Sequence, residues 1–243
     1  MDGFRAFWNG SKLFSKTGNI FPAPPEFIES LPHNICLDGE LWIGYNEFPK
    51  LSSILKKTRY HSENKEVLNL WKEVKFCVFD APLHPGNYLE RHSFAQNSVS
   101  GCGPNVTVIP IEQCLGRDHL QSVLLDVSNK KGEGIMLYHP EAPYTSGRTA
   151  HLLKVKAYAE EDVTLIQCNP NSYSYLCEQA NGVECVVKCS GWDYINPPPP
   201  GTTLTVRHNG YFKTSLKLKY PFLLRIRSPE DLTSKHTDDC KIH

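Results

Sequence analysis

Between residues 163 and 227 the chain is a succession of short β-patterned runs. VTLIQC, VECVVKC, TTLTVRH, YFKTSLKL and FLLRIR follow one another, separated by turn residues and by the run Pro197 to Pro200. Several of them in a module of this length predict a small antiparallel barrel.

Residues 1 to 158 read differently, as mixed strands and helices. The chain opens in a strand, with Phe4, Ala6 and Trp8 alternating against Arg5, Phe7 and Asn9. Asn9-Gly10 is a strong two-residue hairpin signal, because both residues tolerate positive φ, and SKLFS follows as the returning strand. NKEVLNLWKEV places Val67, Leu68, Trp71 and Val74 on one helical face. KFCVFDAP reads as a short buried strand. GRDHLQSVLLDVSNKKG reads as a helix with Leu120, Val123, Leu124 and Val127 as its stripe and Asp118 as its cap. Two more strands are expected in GEGIMLYHP and AHLLKVKAY. The composition shifts after AEED, so the expected division is 1–158, then the barrel over 159–230, then a frayed tail over 231–243.

Composition narrows the partners only slightly. Over 243 residues, 26 basic side chains balance 26 acidic ones, so net charge says nothing about nucleic acid. No run is apolar enough to span a membrane, and none is expected. Nine cysteines at irregular spacing, with no CxxC pair, argue for a reducing compartment such as nucleus, cytoplasm or mitochondrion.

The chemistry lies in polar residues planted on the strands. Asp38 and Glu40 in LDGELW are two apart and share a strand face. Glu133 stands just before the apolar run of GEGIML. Lys154 and Lys156 in LLKVK are again two apart, with Arg148 a few residues ahead. Lysines that neutralise phosphate oxygens, with carboxylates that hold a divalent metal or ribose hydroxyls, make up a phosphoryl-transfer site. Each signal taken alone is weak.

Their order is more specific. DGFR, SKTGN, LDGELW, FDAP, GEGIML and LLKVK, in that succession, resemble the nucleotidyltransferase motifs of ATP-dependent DNA ligases. The chain looks most like the minimal viral and bacterial members, from Met1 to about Arg227. The fold this implies is an α+β nucleotidyltransferase domain, ATP-grasp-like with antiparallel sheets, followed by an all-β OB-fold. The cofactors implied are ATP, carried as an AMP adduct, and Mg²⁺. The partner implied is nicked duplex DNA, engaged by a monomer away from any membrane.

The resemblance also assigns roles. The family carries Lys-x-Asp-Gly at its first motif, and x here is Met1. The nucleophilic lysine would therefore precede Met1, and the chain as written is expected not to adenylate itself while keeping the groups that seal a pre-adenylated nick. Asp2, Gly3 and Arg5 match the rest of that motif, with Arg5 on the phosphate at the nick. Lys16 stands where the family has arginine, replacing a planar fork by a point charge. Glu40 would hold the ribose with Asp38 beside it, Asp38 and Glu133 would be metal ligands, and Phe79 would stack on adenine, a contact worth about 1–3 kcal/mol. Arg148, Lys154 and Lys156 would bind the AMP phosphate. Lys219, where arginine is expected, and Arg227 would orient the pyrophosphate of ATP. A non-catalytic nick- or adenylate-binding module, and an RNA ligase or capping-type enzyme, are the alternatives.

Overall fold

Alternation along the first strand decides which way it faces. In the computed structural model, which describes residues 1–60 and 64–228, β1 (Phe4–Trp8) turns Ala6 and Trp8 fully into the core and leaves Arg5 on the opposite face. The chain divides into two compact units, Met1–Lys156 and Ala157–His243. The tail expected over 231–243 lies outside the described residues.

In the first unit β1 is followed by β2 (Leu13–Ser15), α1 (Pro25–Glu29), β3 (Leu37–Trp42) and α2 (Phe48–Tyr60). Then come α3 (Lys65–Leu70), β4 (Lys75–Asp80), α4 (Tyr88–Ser98), β5 (Val106–Val108), α5 (Arg117–Asn129), β6 (Ile135–Tyr138) and β7 (Leu152–Val155). A five-stranded sheet has the order β2-β1-β3-β4-β5, and β6 and β7 form a separate antiparallel pair. All neighbours in the larger sheet are antiparallel except β4 and β5.

One sheet face carries Trp8, Leu37, Leu41, Phe76 and Val78 into the core, against Leu51 and Ile54 of α2. The buried Trp8 indole donates to Pro32 O at 2.7 Å, so its polar edge is satisfied. The other face holds Arg5, Asp38, Glu40 and Phe79, the positions that alternate with those core residues.

Several local expectations shift. The β1–β2 turn has Gly10 and Ser11 at its tip, one residue beyond Asn9-Gly10. Asn9 N bonds Lys12 O at 3.2 Å, and the Asn9 side chain accepts from Ser11 N and Lys12 N. The helix expected over residues 64–74 is α3 continued by a 3-10 turn at Trp71–Glu73, with Val67, Trp71 and Val74 buried and Leu68 half-buried. In α5 the stripe is as expected, with Leu124 its buried member. Gly116, not Asp118, is the cap residue, because Asp118 already lies in the first turn, where its charge suits the helix dipole.

The second unit is a closed barrel of β8 (Ala159–Cys168), β9 (Ser174–Gln179), β10 (Glu184–Lys188), β11 (Thr203–His208) and β12 (Phe222–Ile226), in the order β10-β12-β11-β8-β9. A short helix, α6 (Gly191–Ile195), lies between β10 and β11. The barrel closes through a parallel contact, Lys188 to Phe222, and its other pairs are antiparallel. Val163, Tyr175, Cys177, Val187, Leu204 and Val206 fill it. Two strand expectations change. YFKTSLKL folds back on itself as a small hairpin with a single bridge, Tyr211 to Leu218, and β9, which was not expected, takes its place among the five barrel strands. Among the described residues no helix is long and apolar enough to cross a membrane.

Candidate active site

The polar face of the five-stranded sheet is built around a bulge. Between Asp38 and Gly39 the register with β4 shifts, so that Asp38 pairs with Asp80 and Gly39 with Val78, leaving Phe79 without an opposite. A bulge of this kind re-aims the side chains beside it. The Arg5 guanidinium carbon lies 5.8 Å from the centre of the Phe79 ring. Gly39 is required where it stands, since an added Cβ would lie 2.6 Å from Phe76 Cε2 and 2.7 Å from Cys77 O.

Asp38 is 1% exposed and fully committed. Its Oδ1 accepts from Arg5 Nε at 3.1 Å, and its Oδ2 accepts from Arg5 Nη2 at 2.5 Å and from the Tyr144 hydroxyl at 2.9 Å. The hydrogen bond to Asp38 raises the Arg5 pKa further, so this guanidinium is always charged. Burial first, then the Asp38 charge, push the Tyr144 phenol up to about 12, so it keeps its proton and donates.

Beside this lies the β6–β7 pair. Met136 is opposite Lys154, and Glu133 and Lys156 stand just beyond the paired residues. Lys154 Nζ and Lys156 Nζ both reach Glu133 Oε1, at 2.9 and 2.7 Å. Burial pushes the Glu133 carboxyl up, but the hydrogen bonds from Lys154 and Lys156 outweigh it and leave the group below its ordinary value. Glu40 goes the other way. Burial raises it and the charge of Glu133 adds to this, while Lys154 and a hydrogen bond from the Gly3 backbone oppose. Glu40, Glu133, Lys154 and Lys156 thus share one electrostatic site, and Arg5, the cross-strand partner of Glu40, borders it.

The other expected residues are more dispersed. Asp2 precedes β1 and is exposed, Lys16 is exposed in the turn after β2, and Arg148 is exposed in the loop joining β6 to β7. In the second unit, Lys219 Nζ lies 5.7 Å from the centre of the Phe212 ring. Arg227 pairs with Asp162 at 3.3 Å, and its buried Nε has no partner among the described residues.

Residues 1–156 match the ATP dependent DNA ligase domain family. The chain belongs to the ATP-dependent DNA ligases. A DNA ligase of Haemophilus influenzae is 30% identical over 222 residues, which cover 86% of this chain and 78% of that protein. A solved structure from a study of DNA binding with a minimal scaffold by Lig E DNA ligases superposes with a TM-score of 0.77 at 28% identity. It covers 93% of this chain and 90% of the other. The Chlorella virus DNA ligase-adenylate has the same fold, with a TM-score of 0.52 at 20% identity over 95% of this chain and 91% of the other. The two-part architecture, a nucleotidyltransferase domain followed by an OB-fold, is therefore that of the ligases.

Two residues bound to this polar face lie outside the motifs. One is Tyr144, from the β6–β7 loop. The other is Arg91, whose Nε and Nη2 meet the two carboxylate oxygens of Asp80, the aspartate of FDAP, at 2.7 and 3.1 Å. Arg91 Nη1 donates to Gly86 O and to Ala142 O, both at 2.9 Å. Neither could be found by periodicity. Tyr144 sits in a polar loop, and Arg91 lies on a helix whose inner face also buries His92.

Proposed function

We propose that this chain seals nicks in duplex DNA by the adenylate chemistry of its family. Phe79 carries the adenine, Glu40 holds the ribose, and Lys154, Lys156, Arg148 and Lys16 take the AMP phosphate. Asp2 belongs to the same first motif as Arg5, which grips the 5′-phosphate at the nick, and Lys219 and Arg227 orient the pyrophosphate of ATP during adenylation. In sealing, the 3′-hydroxyl attacks the adenylated 5′-phosphate and AMP leaves. The two lysines offset the charge that grows on the departing phosphate, and Arg5 fixes the phosphorus in line for attack.

The observation that carries this proposal is the convergence of Lys154 and Lys156 on one oxygen of Glu133, within electrostatic reach of Glu40. These ion pairs are half-exposed, and pairs of that kind hold only weakly. A phosphate can therefore displace Glu133 from the lysines at little cost. Magnesium fits the same place. Among the described residues no three or more His, Cys, Asp or Glu side chains gather as a cage. Mg²⁺, however, characteristically takes one or two carboxylates and completes its shell with substrate phosphates. Glu133 would hold it, with added neutralisation of phosphate charge as its contribution. Asp38, with both oxygens bonded to Arg5 and Tyr144, serves instead to aim Arg5.

The chain seals a nick that already carries AMP, and Lys154→Ala reduces that sealing at least about 10²-fold, as expected for loss of a transition-state charge partner. Binding of the pre-adenylated nick without any sealing would overturn the proposal in favour of a non-catalytic nick-binding module.

A further inference from the structure

We propose that Tyr144 is a positioning residue for Arg5, itself held in place by the buried Arg91. The proposal rests on the role given above to Arg5, and it adds the device that aims it. Arg5 is fastened to Asp38 through Nε and Nη2 only. Its Nη1 has no protein partner among the described residues, and the side chain is 45% exposed. One edge of the fork is anchored and the other faces outward, where a phosphate oxygen can be met.

What keeps the anchored edge in place is the shared oxygen. Asp38 Oδ2 takes both Arg5 Nη2 and the Tyr144 hydroxyl, and Arg5 Nη2 lies 3.4 Å from that hydroxyl as well. Without the phenol, Oδ2 keeps one donor, and at 1% exposure Asp38 has little access to replacement water. The carboxylate is then free to rock, and Arg5 rocks with it.

Tyr144 is fixed in turn from below. Arg91, 2% exposed and bidentate on Asp80, bonds Ala142 O two residues ahead of Tyr144. Its guanidinium carbon lies 5.8 Å from the centre of the Tyr144 ring. A single path of hydrogen bonds and ring contacts therefore runs from β4 through Arg91, the β6–β7 loop and Tyr144 to Asp38 and Arg5.

Tyr144→Phe tests this, because it keeps the ring on Arg91 and removes only the hydroxyl. At saturating pre-adenylated nicked duplex, the variant seals about tenfold more slowly with KM changed less than about twofold, the signature of a misaimed group and not of lost binding. In an Arg5→Ala background the same substitution adds nothing, since there is no guanidinium left to aim. Without any nucleic acid, solvent exchange of the Arg5 Nε–H, followed by ¹⁵N NMR, becomes about tenfold faster in Tyr144→Phe. Unchanged exchange, or a loss that persists in full on Arg5→Ala, overturns the proposal. A chain that seals nothing, yet whose Arg5 exchange still answers to Tyr144→Phe, would overturn the assigned function and leave the positioning role standing.

Discussion

Glu40 is the residue at which local sequence and site energetics meet. Its place two residues after Asp38 follows from strand periodicity, so the face it occupies is legible in the sequence alone. Its environment is not, because burial and the nearby Glu133 raise its pKa above the ordinary carboxylate value of 4.5. A carboxyl raised in the folded state favours folding most at low pH, and that contribution is lost as pH rises through the folded value. Glu40→Gln is therefore expected to melt at a higher temperature than the parent chain at neutral pH. The gap should close below about 4.5, where both side chains are uncharged. Thermal melts of the two proteins across that range check it. Equal melting temperatures at neutral pH would mean that the burial of Glu40 carries no net cost.

At the scale of elements, the site depends on how α4 and the β6–β7 pair are held to the sheet. The link from α4 to β4 is the Asp80–Arg91 pair, with both side chains nearly inaccessible. Removing one partner of such a pair strands the other charge in a dry interior, which costs about 3–5 kcal/mol. Arg91→Met, close in length but uncharged, is expected to lose stability of that order in urea denaturation, with little dependence on salt. A strongly salt-dependent or negligible loss would place the pair in contact with solvent. The helix itself is hidden in the sequence because its buried positions include Arg91 and His92, so its inner face does not look apolar. α2 is legible in principle, since Leu51, Ile54, Leu55 and Thr58 recur at helical spacing and are all buried. The segment 211–218 misleads because its alternation is real, yet it turns back on itself, with Tyr211 bridged to Leu218 and Phe212 N bonded to Lys217 O, instead of joining the barrel as a strand.

For the whole molecule, each unit has its own core, one around Trp8, Leu41 and Phe76 and one around Tyr175, Cys177 and Val206. A closed barrel with its own apolar filling leaves no strand edge to be supplied from elsewhere. Residues 157–243 produced alone are expected to melt in one cooperative transition by circular dichroism, and a gradual melt would show that the barrel's own core is insufficient. The sequence by itself determined the parts and their order: strands of period two, carboxylates and lysines on named strand faces, a succession of motifs shared with the DNA ligases, and a barrel at the end. Only the tertiary structure decided which groups meet. Tyr144 and Asp38 are 106 residues apart in the chain and share a hydrogen bond. Local pattern records which face a side chain occupies. The partner on that face is chosen by the packing of distant elements, and a phenol, a buried arginine and a bulge leave no periodic trace.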